Sequence, residues 1–169
     1  IEPGTPRILV IAGTDYSGGA GLTRDTAMAQ RLGCSVAPVV TAVTAQTSTA
    51  LTSLWPVPPE DIAAQITAAL REAPVQAIKI GMLATPEIIG AVAHSLTAFK
   101  GPIVLDPVMV AKSGDALLQD DAVGALVEHL LPRATVLTPN LPEAARVLGV
   151  EVTDDDAALV EQGKVLLSL

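Results

Sequence analysis

The sequence has few aromatic residues and only one cysteine. Of its 169 residues only 2% are Phe, Trp or Tyr, and the single cysteine is Cys34. With so few rings, the core has to be built from small and branched aliphatic side chains, which suit parallel strands buried on both faces by helices. A lone cysteine excludes an internal disulfide and fits a reducing cytoplasm.

Positive charge is also scarce. Lys and Arg number 10 against 18 Asp and Glu, which gives a formal net charge of -8. This balance argues against nucleic acid as a partner, because a phosphate backbone repels such a surface. Residues 32–59 carry no charged side chain at all. Gln46, several prolines and many hydroxyl residues interrupt that stretch, so it favours strand, turn and strand over a membrane-spanning helix.

Short apolar runs alternate with amphipathic stretches along the whole chain, and no repeat or linker interrupts them. The predicted strands are 7–12, 35–45, 51–57, 77–81, 102–106 and 134–138. The predicted helices are 19–33, 59–72, a helix that begins at Thr85, 120–131, 141–148 and 155–169. This alternation predicts an α/β fold with a mainly parallel sheet flanked by helices. We expect one domain over residues 1–169.

Glycine and polar residues follow the ends of several predicted strands. The first run breaks into GTDYSGGAG (13–21), and later ones are followed by Gln46, Met82, Asp106 and Asn140. In parallel sheets, ligands bind outside the carboxyl ends of the strands. The glycine-rich turn has neither the dinucleotide pattern nor the P-loop pattern, so the usual nucleotide motifs do not apply. These stretches together predict a site at one edge of the sheet.

Each of these signals also has a purely structural interpretation. The glycine-rich turn would let a strand pass tightly into a helix, and Asp106 would cap a turn. Asn140 and Glu143 have the spacing of a capping box at a helix start. Lys112, taken alone, would be a surface lysine. Only the convergence of several such stretches on one edge favours a functional site.

Phosphoryl transfer is the chemistry that these residues would share. Asp106, Asn140 and Glu143 offer the carboxylate and amide oxygens that a hydrated divalent metal takes. Lys112 would neutralise phosphate charge as it develops.

A small polar substrate is the ligand that the remaining residues would bind. Gly13 would contribute its backbone and Asp25 a carboxylate. Gln46 would contribute an amide, which has donors and an acceptor and therefore suits the edge of a nitrogen heterocycle.

Longer stretches resemble a known family, from about residue 7 to the end of the chain. The resemblance is to the bacterial hydroxymethylpyrimidine/phosphomethylpyrimidine kinases of thiamine biosynthesis, within the ribokinase-like superfamily. It is carried by Asp25 and by the stretches IAGTDYSGGAG (11–21), VTAVTAQT (40–47), VPPEDIAAQ (57–65), IKIGML (78–83), VLDPVMVAKSGDALL (104–118) and LLPRATVLTPNLPEA (130–144).

The resemblance implies a reaction, its cofactors and a set of residues. These kinases phosphorylate 4-amino-5-hydroxymethyl-2-methylpyrimidine, and then its monophosphate, with ATP and Mg²⁺; the resemblance also implies a homodimer. The positions that match the pyrimidine site are Gly13, Asp25, Gln46, Met82 and Val108. The metal and phosphate positions are Asp106, Asn140 and Glu143, and Lys112 lies in the loop that approaches the ATP phosphates.

The sequence departs from the family pattern in two ways. Tyr16 stands where a small residue is common, and Thr23-Arg24 stand where Gln-Ala often precedes the aspartate. The family's Gly-Thr-Gly-Cys stretch, with its anion hole and proposed catalytic base, would lie beyond Leu169. We therefore expect a C-terminally incomplete ribokinase-like domain that is inactive by itself. Two alternatives stay open: a pyridoxal kinase of the same superfamily, and a non-catalytic pyrimidine-binding module.

Overall fold

The computed structural model describes residues 4–47, 50–111, 114–119 and 121–169. Its strands are β1 (Arg7–Ala12), β2 (Ser35–Val40), β3 (Ala42–Gln46), β4 (Leu51–Pro56), β5 (Ala77–Ile80), β6 (Ile103–Leu105) and β7 (Val136–Leu137). Its helices are α1 (Gly21–Arg31), α2 (Pro59–Glu72), α3 (Pro86–Ser95), α4 (Ala122–His129), α5 (Leu141–Leu148) and α6 (Asp156–Leu166), with a short 3₁₀ turn at Leu131–Arg133.

Five of the strands form one parallel sheet in the order β2-β1-β5-β6-β7. The predicted α/β fold with a parallel sheet flanked by helices is therefore confirmed. All carboxyl ends of these strands meet at one edge, which is the edge where a ligand is expected.

The two faces of the sheet are packed very differently. One face carries the main core, in which alternate residues of β1 and β5 pack with the buried stripes of α2 and α3. The other face carries α1, where Leu22 packs with Val10 and Ala12 in a much smaller cluster. A polar side chain on this second face is therefore surrounded by fewer apolar groups. Lys79 lies on this face.

Thr41 lies between β2 and β3, so the prediction of one strand over 35–45 is wrong. The Thr41 backbone N–H donates to the Ala12 carbonyl (3.0 Å), and its Oγ1 donates to the Met82 carbonyl (2.6 Å). After this point the chain leaves the main sheet. Strand β3 then pairs antiparallel with β4 in a separate two-stranded ribbon.

The helix starts follow local sequence signals. Helix α2 has the predicted bounds, with Pro59 in its first turn and Ile62 and Ile66 buried. Helix α5 begins at the predicted capping box of Asn140 and Glu143. Helices α1, α4 and α6 are shorter than predicted, and so are strands β6 and β7. Within the described ranges, none of the helices has the length and apolar character needed to cross a membrane.

Candidate functional site

A cavity of about 200 Å³ lies at the carboxyl ends of β1 and β5, against the start of α1 and the β3–β4 ribbon. Its volume suits a small ring compound. It is lined by Ala12, Gly13, Thr14, Asp15, Ala20, Gly21, Asp25, Thr44, Gln46, Lys79, Met82, Asp106, Val108 and Leu117. All five residues predicted to bind substrate are therefore brought together, and Asp106 lies with them.

The glycine-rich turn forms one wall of the cavity. Its backbone is packed closely there and leaves little room for side chains. A Cβ on Gly21 would lie 2.4 Å from the Gly13 carbonyl oxygen, and the φ of Gly21 is +55°. A Cβ on Gly13 would lie 2.4 Å from Cε of Met82. The Leu22 N–H also donates to the Gly13 carbonyl (3.0 Å), which fixes the turn on the first residues of α1. The turn thus presents backbone to the cavity.

Asp15 holds the polar part of this turn together. It is only 5% exposed, and its carboxylate accepts hydrogen bonds from the N–H (2.9 Å) and Oγ (2.8 Å) of Ser17. Desolvation by itself would raise the pKa of Asp15, but the hydrogen bonds from Ser17, Gln46 and the Ala20 backbone outweigh it and lower that pKa. Because Gln46 donates to Asp15, its amide carbonyl is left to face other partners.

Two threonines tie the ribbon to the turn. The Thr44 N–H donates to Oγ1 of Thr14 (3.2 Å), and Oγ1 of Thr44 donates to the Thr14 carbonyl (2.7 Å). The Thr14 N–H in turn donates to the Ala42 carbonyl (2.9 Å). Gln46, two residues after Thr44, is therefore held at a fixed place beside the turn.

Lys79 is the functional candidate that the sequence analysis missed. It lies on β5, and its Nζ is 2.7 Å from Oδ2 of Asp25 and 3.3 Å from Oδ2 of Asp106. The sequence feature that could have indicated it is a lysine between two isoleucines in an otherwise apolar strand. Its two partners are distant in sequence, so the pairing itself had no local signal.

Asn140 and Glu143 form a capping box, as one of the two interpretations predicted. The Asn140 side chain accepts from the Glu143 N–H, and Glu143 Oε2 accepts from the Asn140 N–H, both at 2.9 Å. Glu143 Oε1 also accepts from the Met109 N–H (3.4 Å). This pair lines a second cavity of about 510 Å³, together with Met109, Val110, Ala111, Pro142 and Arg146. Asp106 lies in the first cavity, so the three predicted metal and phosphate residues are divided between two cavities.

The fit to a divalent metal is best at Asp106. Its side chain is 32% exposed and reaches the first cavity. Across the described part of the chain, no group of three or more His, Cys, Asp and Glu side chains could hold a metal unaided. Mg²⁺, however, is usually held by one or two carboxylates together with phosphates and water, so this donor set fits Mg²⁺ that arrives with a nucleotide. Lys112 lies outside the described residues.

Comparison with known proteins identifies the family. A sequence model of the phosphomethylpyrimidine kinase family matches residues 15–169. The chain belongs to this family. A hydroxymethylpyrimidine/phosphomethylpyrimidine kinase of Rhizobium meliloti (strain 1021) is 45% identical over 159 residues, covering 94% of this chain and 60% of that relative. The chain thus spans less than two thirds of the length of that relative.

Solved structures show the same fold. The phosphomethylpyrimidine kinase of Clostridium difficile 630 superposes with a TM-score of 0.89 at 34% identity, over 97% of this chain and 71% of that one. A pyridoxal kinase from Staphylococcus aureus in complex with ADP superposes with a TM-score of 0.85 at 32% identity, over 97% of this chain and 60% of that one. The fold is therefore the ribokinase-like kinase fold.

The two departures from the phosphomethylpyrimidine kinase pattern now have places in the structure. Tyr16 is 73% exposed and is not among the residues that line the first cavity. Thr23 lies in the first turn of α1, where its Oγ1 donates to the Asp15 carbonyl (3.2 Å). Tyr16, Thr23 and Arg24 are all absent from the lining of the first cavity.

Proposed function

We propose that the protein to which this chain belongs phosphorylates 4-amino-5-hydroxymethyl-2-methylpyrimidine, and then its monophosphate, with ATP and Mg²⁺. The observation that carries this proposal is the first cavity. It has the size for one small ring, and Gly13, Gln46 and Asp25 all line it. Family membership supports the same reaction class.

The polar groups of this cavity suit an aminopyrimidine. Gln46 donates to Asp15, so its carbonyl can accept from an amino group and its second amide N–H can donate to a ring nitrogen. Met82 and Val108 supply the apolar contacts that hold a flat ring. We assign Asp25, which lines the same cavity, to accept a hydrogen bond from the hydroxymethyl group.

We assign the phosphate groups of ATP to the side of Asp106 that faces away from the substrate residues. We assign Asp106 to Mg²⁺, and Asn140 and Glu143 to the metal and phosphate environment across the 106–109 turn. Bound Mg²⁺ would neutralise charge on the transferred phosphoryl group. Lys112 is assigned to the ATP phosphates on the resemblance alone. A homodimer is likewise proposed from the resemblance, and a cytoplasmic location is proposed from the single cysteine.

Pyridoxal kinase is the second candidate. Its support is the similarity to the Staphylococcus aureus pyridoxal kinase, whose structure was solved with ADP. A ring nitrogen and a hydroxymethyl group occur in both substrates, so the cavity does not exclude pyridoxal by chemistry alone.

Steady-state kinetics on the full-length protein that carries this sequence test the proposal. We expect Mg²⁺-dependent turnover of hydroxymethylpyrimidine with a kcat/KM above that for pyridoxal. Turnover of pyridoxal alone would establish the second candidate. Binding of hydroxymethylpyrimidine without any turnover, in a protein with ATP and Mg²⁺ present, would instead establish a non-catalytic binding module.

A further inference from the structure

The ammonium group of Lys79 lies between two carboxylates that the proposed function assigns to different ends of the reaction. Its Nζ is 2.7 Å from Asp25, on the substrate side, and 3.3 Å from Asp106, on the phosphate side. The three side chains are 22%, 25% and 32% exposed, so water screens this cluster less than it would a surface pair.

The sheet directs Lys79 to this position. Along β5, Ile78 and Ile80 point into the main core, so Lys79 lies on the opposite face, the face that carries α1 and Asp25. Its side chain runs along the strand toward the carboxyl edge. There a Cβ on Gly81 would lie only 2.9 Å from Nζ and 3.2 Å from Cβ of Ala12. The absence of a side chain at Gly81 is what leaves room for the ammonium group.

We propose that Lys79 is a positioning residue, which holds the carboxylates of Asp25 and Asp106 in fixed relation and occupies the position that a cation would otherwise take between them. For its kinetic consequence the inference rests on the proposed function. For its effect on cation binding it rests only on the geometry of the three side chains. Without the ammonium group, two carboxylates would face a common point, and oxygen pairs of that kind attract Mg²⁺ and Mn²⁺.

The first test is titration with Mn²⁺ alone, without nucleotide, on the full-length protein. We expect Lys79→Met to bind Mn²⁺ at least about tenfold more tightly than the wild type. This factor corresponds to the free energy of about one charge-assisted hydrogen bond, which Mn²⁺ no longer has to displace. The double variant Lys79→Met/Asp106→Asn should lose that gain. Equal Mn²⁺ affinity in wild type and Lys79→Met would overturn the proposal.

The second test is kinetic and uses graded variants. We expect Lys79→Met to raise the KM for hydroxymethylpyrimidine and to lower kcat, each by about tenfold or more, because both carboxylates lose their anchor. Lys79→Arg keeps the charge and should recover part of both. Gly81→Ala keeps the lysine but displaces its ammonium group, so it should shift KM and kcat in the same direction as Lys79→Met.

Matched controls separate the local effect from general damage. Lys164 pairs with Glu161 on the exposed surface of α6 at 2.6 Å, so Lys164→Met removes an ion pair far from the cavity and should leave KM, kcat and Mn²⁺ binding unchanged. Gly124→Ala adds a methyl group where no atom lies within 4 Å, and it should behave like the wild type.

The outcomes distinguish this inference from the proposed function. A wild type that does not phosphorylate hydroxymethylpyrimidine, together with tighter Mn²⁺ binding in Lys79→Met, would overturn the proposed function and support the positioning role. Normal wild-type turnover, with KM and kcat of Lys79→Met within about twofold of it, would support the proposed function and overturn the positioning role.

Discussion

The hydroxyl group of Thr41 donates a 2.6 Å hydrogen bond to the main-chain carbonyl of Met82, across 41 residues of sequence. Thr41 is fully buried and lies where the chain leaves the main sheet for the β3–β4 ribbon. Met82 follows β5 and lines the first cavity. This hydrogen bond therefore helps to fix the start of the ribbon, which carries Gln46, against the end of a central strand.

Replacing Thr41 with Val should destabilise the fold by about 1–3 kcal/mol, because the Met82 carbonyl would be left buried without this donor while the side-chain shape is kept. Chemical denaturation measures the free energy of unfolding. Thr97→Val is the matched control, since the Thr97 hydroxyl donates to the His94 carbonyl in an exposed place. Equal stability losses in both variants would show that the Thr41 bond has no special weight.

Replacing Gln46 with Leu should raise the KM for hydroxymethylpyrimidine strongly. The amide would no longer pair with the ring, and lost hydrogen bonds of this kind cost about 1–3 kcal/mol. Steady-state kinetics measure the change, and Gln30→Leu on the exposed side of α1 is the control. An unchanged KM in folded Gln46→Leu would remove Gln46 from the ligand contacts.

Asp15 should make the fold sensitive to acid. Its folded-state pKa is lowered below the usual 3.8, so the carboxylate stabilises the folded state at pH values above 3.8. That contribution is lost as the pH falls below 3.8 and through the lowered pKa. We expect the difference in unfolding free energy between wild type and Asp15→Asn to shrink over this acid range. A difference in unfolding free energy that stays constant with pH would show that the charge of Asp15 does not contribute to stability.

Asp106→Asn and Glu143→Gln should lower kcat more than they weaken pyrimidine binding, because both residues are assigned to metal and phosphate. Direct titration with hydroxymethylpyrimidine in the absence of ATP gives the binding term, and turnover gives kcat. Asp154→Asn, on the exposed segment before α6, is the control. If both variants abolish pyrimidine binding without ATP, the division of roles is wrong.

The sequence predicted those elements whose signals are local. The Pro59 start and the buried Ile62 and Ile66 of α2 are all contained within one stretch, and so are the two partners of the Asn140–Glu143 capping box. The meeting of Gly13, Met82 and Asp106 at one cavity followed from the rule for parallel strand ends, whereas Gln46 reaches the cavity from the antiparallel β3–β4 ribbon.

The sequence could not predict features that depend on distant partners. Thr41 is β-branched and stands among β-branched and apolar residues, which is typical of a continuous strand. Nothing local therefore marks the break between β2 and β3. The break depends on carbonyls at Ala12 and Met82. The ion pairs of Lys79 depend on Asp25, 54 residues away in sequence, and only the sheet order places β5 beside β1, against which α1 packs.

The position of β1 between β2 and β5 has a consequence for folding. Its first residue, Arg7, donates its backbone N–H to the Gln76 side chain, 69 residues along the chain, and such distant pairings form slowly. The cavity therefore exists only after these long loops have closed. A ligand that binds there binds the folded chain alone, and at one hundred times its Kd it adds about 2.7 kcal/mol to the free energy of unfolding. The concentration of such a ligand would therefore also influence how large a fraction of the chain is unfolded and open to proteolysis at any moment.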